Sequence, residues 1–201
     1  MVSAAAPEPP SSVRIREVGP RDGFQNEPEV IPTERKVELI DALARTGVRR
    51  LEVTSFVRAE VIPQLADAAE VLERIDVPDG VAVGVLVPNE RGLAAALEHR
   101  AKIDEINVFL SASETHNRKN VNRSIAQSLE ALEKVLASAQ AAGLRCEAVI
   151  STSFGCPYEG RVPMERVLEI ATRLHAAGAQ EIGFGDTVSY THLTLPTILR
   201  V

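Results

Sequence analysis

The sequence has only two cysteines, Cys146 and Cys156, in 201 residues. Two thiols cannot make a disulfide framework, and this usage fits a reducing compartment. No apolar run approaches the ~18–20 residues of a membrane-spanning helix, so no membrane partner is expected. Clustered basic residues are missing as well. Lys and Arg number 22 against 28 Asp and Glu, a net charge of −6. Nucleic-acid backbones need concentrated positive charge, so that class of partner is excluded. The opening MVSAAAPEPPSS has no basic n-region, no apolar h-region and no arginine. Residues 1–12 therefore read as a frayed tail, and a cytoplasmic location is expected. Metal-ligand spacing is absent too, with no H-x-H, H-x-x-x-H or C-x-x-C.

What is present is alternation. Short apolar runs at 13–18, 49–56, 81–87, 102–111, 144–151 and 180–185 read as strands. Amphipathic stretches at 32–46, 59–75, 90–99, 124–142 and 163–177 read as helices between them. Glycines at 47, 143 and 178 stand where three of these helices should stop. Strand–helix alternation implies parallel strands with helical crossovers, an α/β architecture. A doubly wound sheet usually carries G-x-G-x-x-G after its first strand, and Gly19-Pro20-Arg21-Asp22-Gly23 is not that turn. Instead, polar residues follow each later strand, as they do at the C-terminal face of a (β/α)₈ TIM barrel. Closed barrels of this kind run to ~250 residues. Here the pattern stops after a sixth strand, and SYTHLTLPTILRV continues neither a loop nor a helix. The expectation is a barrel domain over 13–188, truncated after its sixth strand. Residues 189–201 are expected to be a non-native segment.

The chemistry-bearing candidates sit at the strand ends. Arg21 and Asp22 are either a structural ion pair or a site. As a site, the carboxylate would take a hard divalent cation and the guanidinium would stabilise an enolate oxygen. Glu52 lies between Leu51 and Val53 in a buried strand, a costly location unless it is paired. Asp186 ends the sixth strand and could equally cap a helix. His116, Arg118, Lys119, Asn120 and Asn122 share a polar segment after the fourth strand, read as a solvated loop. Cys156 has no neighbouring histidine to activate it and reads as loop structure, while Cys146 alternates into the core. His192 has no strand context.

EVGPRDGFQNE (17–27), LEVTSFV (51–57), SETHNRKNVN (113–122), FGCPYEG (154–160) and FGDT (184–187) together resemble hydroxymethylglutaryl-CoA lyases. These belong to a metal-dependent superfamily of TIM-barrel lyases and synthases. The resemblance covers about Val13 to Val188. It implies retro-Claisen cleavage of 3-hydroxy-3-methylglutaryl-CoA to acetyl-CoA and acetoacetate, with leucine breakdown as the usual setting. It also implies Mg²⁺ or Mn²⁺ as cofactor, an acyl-CoA as substrate and a homodimer for the full-length form. Carried onto this chain, Asp22 is a metal ligand, and Arg21, Glu52 and Asp186 are catalytic. Arg21, Gln25, Ser55 and Asn120 contact substrate. The family's remaining metal ligands and its catalytic cysteine loop have no counterpart here, so an incomplete, weakly active or inactive form is expected. The alternatives are a non-catalytic barrel fragment or a Claisen-type synthase of the same superfamily. GFQNE and EVTSFV speak against the synthase.

Overall fold

The structure, a computed structural model, describes residues 11–187. The expected tail over 1–12, apart from Ser11 and Ser12, and the expected segment 189–201 lie outside the described residues, as does His192. Five parallel strands form one sheet: β1 (Arg50–Ser55), β2 (Ala82–Leu86), β3 (Glu105–Ser111), β4 (Arg145–Ser151) and β5 (Glu181–Phe184). The helices are α1 (Phe24–Asn26), α2 (Thr33–Ala44), α3 (Ala68–Arg74), α4 (Glu90–Glu98), α5 (Glu114–Val121), α6 (Ile125–Ala141) and α7 (Met164–Ala176).

Local chemistry explains the longer helices. Ser124 opens α6 with a capping box: its hydroxyl accepts from Gln127 N at 3.1 Å, and Gln127 Oε1 accepts from Ser124 N at 2.9 Å. Leu129, Leu132, Val135, Leu136 and Ala139 then fall on one buried stripe. The turn that ends α6 needs a left-handed residue, and Gly143 supplies it at φ +75°. In α7, Val167, Ile170 and Leu174 make the corresponding stripe. These stripes pack on alternate residues of β3 and β4, among them Ile106, Val108, Leu110, Ala148 and Ile150.

The strand order β1-β2-β3-β4-β5 follows chain order without reversal. A doubly wound sheet reverses at a switch point, whereas a barrel does not. Side chains confirm the curl. Arg50 on β1 donates to Glu181 on β5 at 2.8 Å. On a flat sheet those strands would stand about 19 Å apart, at ~4.8 Å per strand. Only a sheet bent around its inner face lets one arginine span that gap.

Two expected elements differ. The strand over 13–18 reduces to a single bridge, Glu17 to Leu51, and Val13 and Ile15 are 77% and 71% exposed. Its alternation is real, but only Glu17 meets the backbone of β1, through Glu17 N–Arg50 O and Glu52 N–Glu17 O, both 2.9 Å. The helix over 59–75 is broken by Pro63. The residue before it is held out of helical geometry, and only a 3₁₀ turn at Pro63–Leu65 precedes α3.

Candidate active site at the barrel mouth

Residues alternating with the apolar ones point into the barrel and are charged. Arg50 donates to Glu105 at 2.9 and 3.1 Å and to Glu181 at 2.8 Å. Arg145 also reaches Glu181, at 2.7 Å. Burial disfavours charge on Glu181, but Arg50, Arg145 and Arg14 outweigh it and hold its carboxyl below the usual range. Glu147 goes the other way. Burial pushes its carboxyl up despite Arg16, whose Nη2 donates to Glu147 Oε1 at 2.8 Å. This ionic floor fills the N-terminal half of the interior.

Above it stands Glu52, fully buried at 0% exposure. An isolated carboxylate there would be costly, so its neighbours carry the balance. Arg21 Nε donates to Glu52 Oε1. Asn107 Nδ2 donates to Glu52 Oε2 at 2.9 Å, and Arg16 Nη1 lies 3.7 Å from the same oxygen. The other end of the Arg21 guanidinium donates to Asp22 Oδ1 at 2.7 Å. Arg21 is thus fixed between a buried and an exposed carboxylate. Gly19–Gly23 forms a single wide turn of π-helix that presents the pair, with Arg21 and Asp22 N–H both bonded to Val18 O.

This cluster lines a cavity of about 830 Å³, whose walls include Arg16, Arg21, Asp22, Gln25, Glu52 and Asn107. Asn120 and Thr187 also border it, as do the cations Arg58, Lys119 and Arg123. Of the expected site residues, Arg21, Asp22, Gln25, Glu52 and Asn120 therefore come together. Asp186 is half-buried beside Thr187 at the end of β5. Ser55 does not join them. Its hydroxyl accepts from Val57 N at 3.2 Å, and it borders a separate cavity with Phe56, Leu65 and Ala95.

The family model described as HMGL-like matches residues 12–195. The chain belongs to the HMGL-like family. It is 51% identical over 179 residues to the hydroxymethylglutaryl-CoA lyase YngG of Bacillus subtilis, covering 89% of this chain and 59% of that protein. It is 44% identical to the mitochondrial hydroxymethylglutaryl-CoA lyase of Bos taurus, covering 89% of this chain and 54% of the relative. The cytoplasmic 3-hydroxy-3-methylglutaryl-CoA lyase of Danio rerio is 45% identical, with 90% and 54% covered. The crystal structure of the Bacillus subtilis HMG-CoA lyase superposes with a TM-score of 0.86 at 51% identity, covering 89% of this chain and 59% of that one. An HMG-CoA lyase from Acinetobacter baumannii, in complex with coenzyme A and 3-methylmalate, gives 0.81 at 35% identity, with 87% and 56% covered. This HMGL-like chain thus spans between half and three fifths of the relatives it matches.

The segment expected to be a solvated loop is helix α5, and His116 belongs to the wall of the cavity. Ser113 caps α5 by accepting from His116 N at 3.1 Å. Asn122 closes it in the left-handed region at φ 54°. His116 Nδ1 bonds Ser111 Oγ at 2.6 Å, and its ring lies 6.1 Å from that of Tyr158. Burial lowers its pKa below the usual 6.5. Cys156 is buried, and its thiol donates to Ser113 Oγ at 2.9 Å, so it serves loop structure as expected. Cys146 packs in the core, where burial pushes its thiol up to about 11.

Sequence reasoning missed Asn107, Arg16, Arg58 and Arg123 as cavity residues. Asn107 was findable: it sits two positions from Glu105 in a strand whose other alternate residues are apolar. Asp22, expected as a metal ligand, is paired with Arg21. Among the described residues, no group of three or more His, Cys, Asp or Glu could hold a metal ion. Hard divalent cations take about six oxygen ligands, so these residues do not by themselves make a complete metal centre.

Proposed function

We propose that this chain carries the enolate-stabilising part of a carbon–carbon lyase site, acting on 3-hydroxy-3-methylglutaryl-CoA to give acetyl-CoA and acetoacetate. The observation that carries the reading is the Arg21 guanidinium, fixed between buried Glu52 and exposed Asp22 at the cavity floor. Retro-Claisen cleavage leaves an electron pair on the carbon next to the thioester, delocalised onto its carbonyl oxygen. A guanidinium held in place before the reaction stabilises that oxyanion without reorganisation. Glu52 holds Arg21, and Gln25 and Asn120 border the space for the acyl group. Asp186 completes the proposed catalytic set. Arg58, Lys119 and Arg123 give the mouth a positive rim suited to the phosphates of coenzyme A.

Mg²⁺ or Mn²⁺ is the proposed cofactor, with Asp22 as one ligand. Because the described residues do not complete a metal centre, no step is drawn through it. For the same reason turnover by this chain is expected to be weak or absent. A homodimer, a cytoplasmic location and a part in leucine breakdown are proposed for the full-length form. Relatives are named for both cytoplasm and mitochondria, and among the described residues no helix is long and apolar enough to cross a membrane.

The test is acetoacetate release by the purified 201-residue chain with Mn²⁺ and 3-hydroxy-3-methylglutaryl-CoA. Trace activity that vanishes in Arg21→Ala supports the reading. Activity unaffected by Arg21→Ala counts against it. The absence of any cluster of metal ligands among the described residues favours a second reading, a fragment that binds acyl-CoA without turnover. It predicts binding with no acetoacetate at all.

A further inference from the structure

Asn107 is 5% exposed on β3 and borders the cavity. Its Nδ2 donates to Glu52 Oε2 at 2.9 Å, which fixes the orientation of the carboxamide. A carboxylate acceptor cannot take the oxygen end, so the amide cannot flip. The opposite atom, Oδ1, is buried and has no hydrogen-bond partner among the described residues. A buried amide oxygen without a donor is costly, and native interiors rarely retain one unless something else occupies the space. Asn107 lines the cavity, which is where a ligand would bring a donor.

We infer that Asn107 is a specificity residue, its Oδ1 presenting a fixed acceptor to a hydroxyl group of the bound ligand. The inference rests on the acyl-CoA lyase reading and deepens it, assigning Asn107 to the 3-hydroxyl of the substrate. An acceptor has no use for a ligand lacking that hydrogen. The Oδ1 of Asn107 therefore favours 3-hydroxy-acyl groups over their deoxy counterparts. Arg21 can only donate to such a hydroxyl, and Glu52 is already engaged by Arg21 and Asn107, so Oδ1 is the acceptor left for its hydrogen.

The experiment compares binding of 3-hydroxy-3-methylglutaryl-CoA and of 3-methylglutaryl-CoA, which lacks the hydroxyl, by calorimetry on the full chain. The wild-type chain is expected to prefer the hydroxylated ligand by roughly 3–10-fold, the scale of one neutral hydrogen bond. In Asn107→Leu, near-isosteric without the acceptor, the ratio falls to about one. Circular dichroism checks that the variant folds, and Asn107→Ser, too short to reach, serves if it does not. A merely structural role would weaken both ligands together and leave the ratio intact. An unchanged ratio in the variants overturns the inference, as does a wild-type chain with no preference, for which water alone satisfies Oδ1. In both cases the acyl-CoA reading stands. A wild-type chain that binds neither ligand overturns both.

Discussion

Arg16 and Glu147 stand 131 positions apart, yet Arg16 Nη2 lies 2.8 Å from Glu147 Oε1 inside the barrel. Arg16 belongs to the segment that leads into β1, which meets the sheet through the single bridge at Glu17. The ion pair therefore helps secure the segment that delivers Arg21. Removing one partner of a largely buried pair leaves the other charge stranded. Arg16→Met should destabilise the chain by about 3 kcal/mol, with part of the loss recovered in Arg16→Met/Glu147→Gln. Urea titration measures both. A single variant as stable as wild type would show that the pair does no anchoring.

Lys36 and Asp67 make a second buried pair, and neither lines the cavity. Lys36 Nζ lies 2.7 Å from Asp67 Oδ1 and also donates to Gln64 O, and Thr33 Oγ1 donates to Asp67 Oδ2 at 2.8 Å. The pair ties α2 to the turn before α3. Lys36→Met should cost about 3 kcal/mol in stability while leaving acyl-CoA affinity unchanged. Loss of affinity in a variant that remains folded would contradict the separation of this pair from the site.

His116 supplies the pH dependence. Its folded pKa is lowered by burial, so the unfolded chain binds the proton more readily. Its contribution to stability is fully present above pH 6.5, the unfolded value, and is lost as pH falls through the lower folded value. Tyr158 faces its ring, Ser111 holds Nδ1, and Lys119 sits 4.3 Å from the Tyr158 ring centroid. The imidazole should titrate below 6.5 by NMR, and His116→Gln should flatten the loss of stability toward acid. A titration midpoint at or above 6.5 would contradict the buried environment.

Both thiols are buried, and that of Cys146 is pushed up to about 11. Neither should react with an aromatic disulfide reagent at pH 8 in the folded chain, and both should react in denaturant. Rapid labelling of one native thiol would place Cys156 at a more open loop than the structure gives it.

These expectations draw on features of unequal legibility in the sequence. The alternation of elements and the polar strand ends gave the barrel, because a buried parallel strand and its crossover helix differ in period. Arg21, Asp22 and Glu52 were visible because charge beside apolar strand residues needs a partner. The strand at 13–18 was misread because alternation describes side chains and not whether a neighbouring strand exists to pair with. Helix α5 was missed because it has no apolar stripe. Its signals were the Ser113 cap, Glu114 in the first turn and Arg118 four residues on, 2.8 Å from Glu114. Ser55 came from the resemblance and not from its own pattern, and it borders the separate cavity. The orphaned Oδ1 of Asn107 could not be read from sequence at all, since it depends on which neighbours the folded sheet brings to each end of one amide.

The central claim is that Arg21, clamped by Glu52, meets the acyl group in the barrel cavity. Calorimetric titration of 3-hydroxy-3-methylglutaryl-CoA into the wild-type chain, Arg21→Lys and Glu52→Gln tests it most directly. The wild-type chain should bind. Arg21→Lys should bind at least about tenfold more weakly, because an ammonium cannot replace the planar fork, and Glu52→Gln should weaken binding by loosening Arg21. Equal affinity in all three proteins would contradict the account.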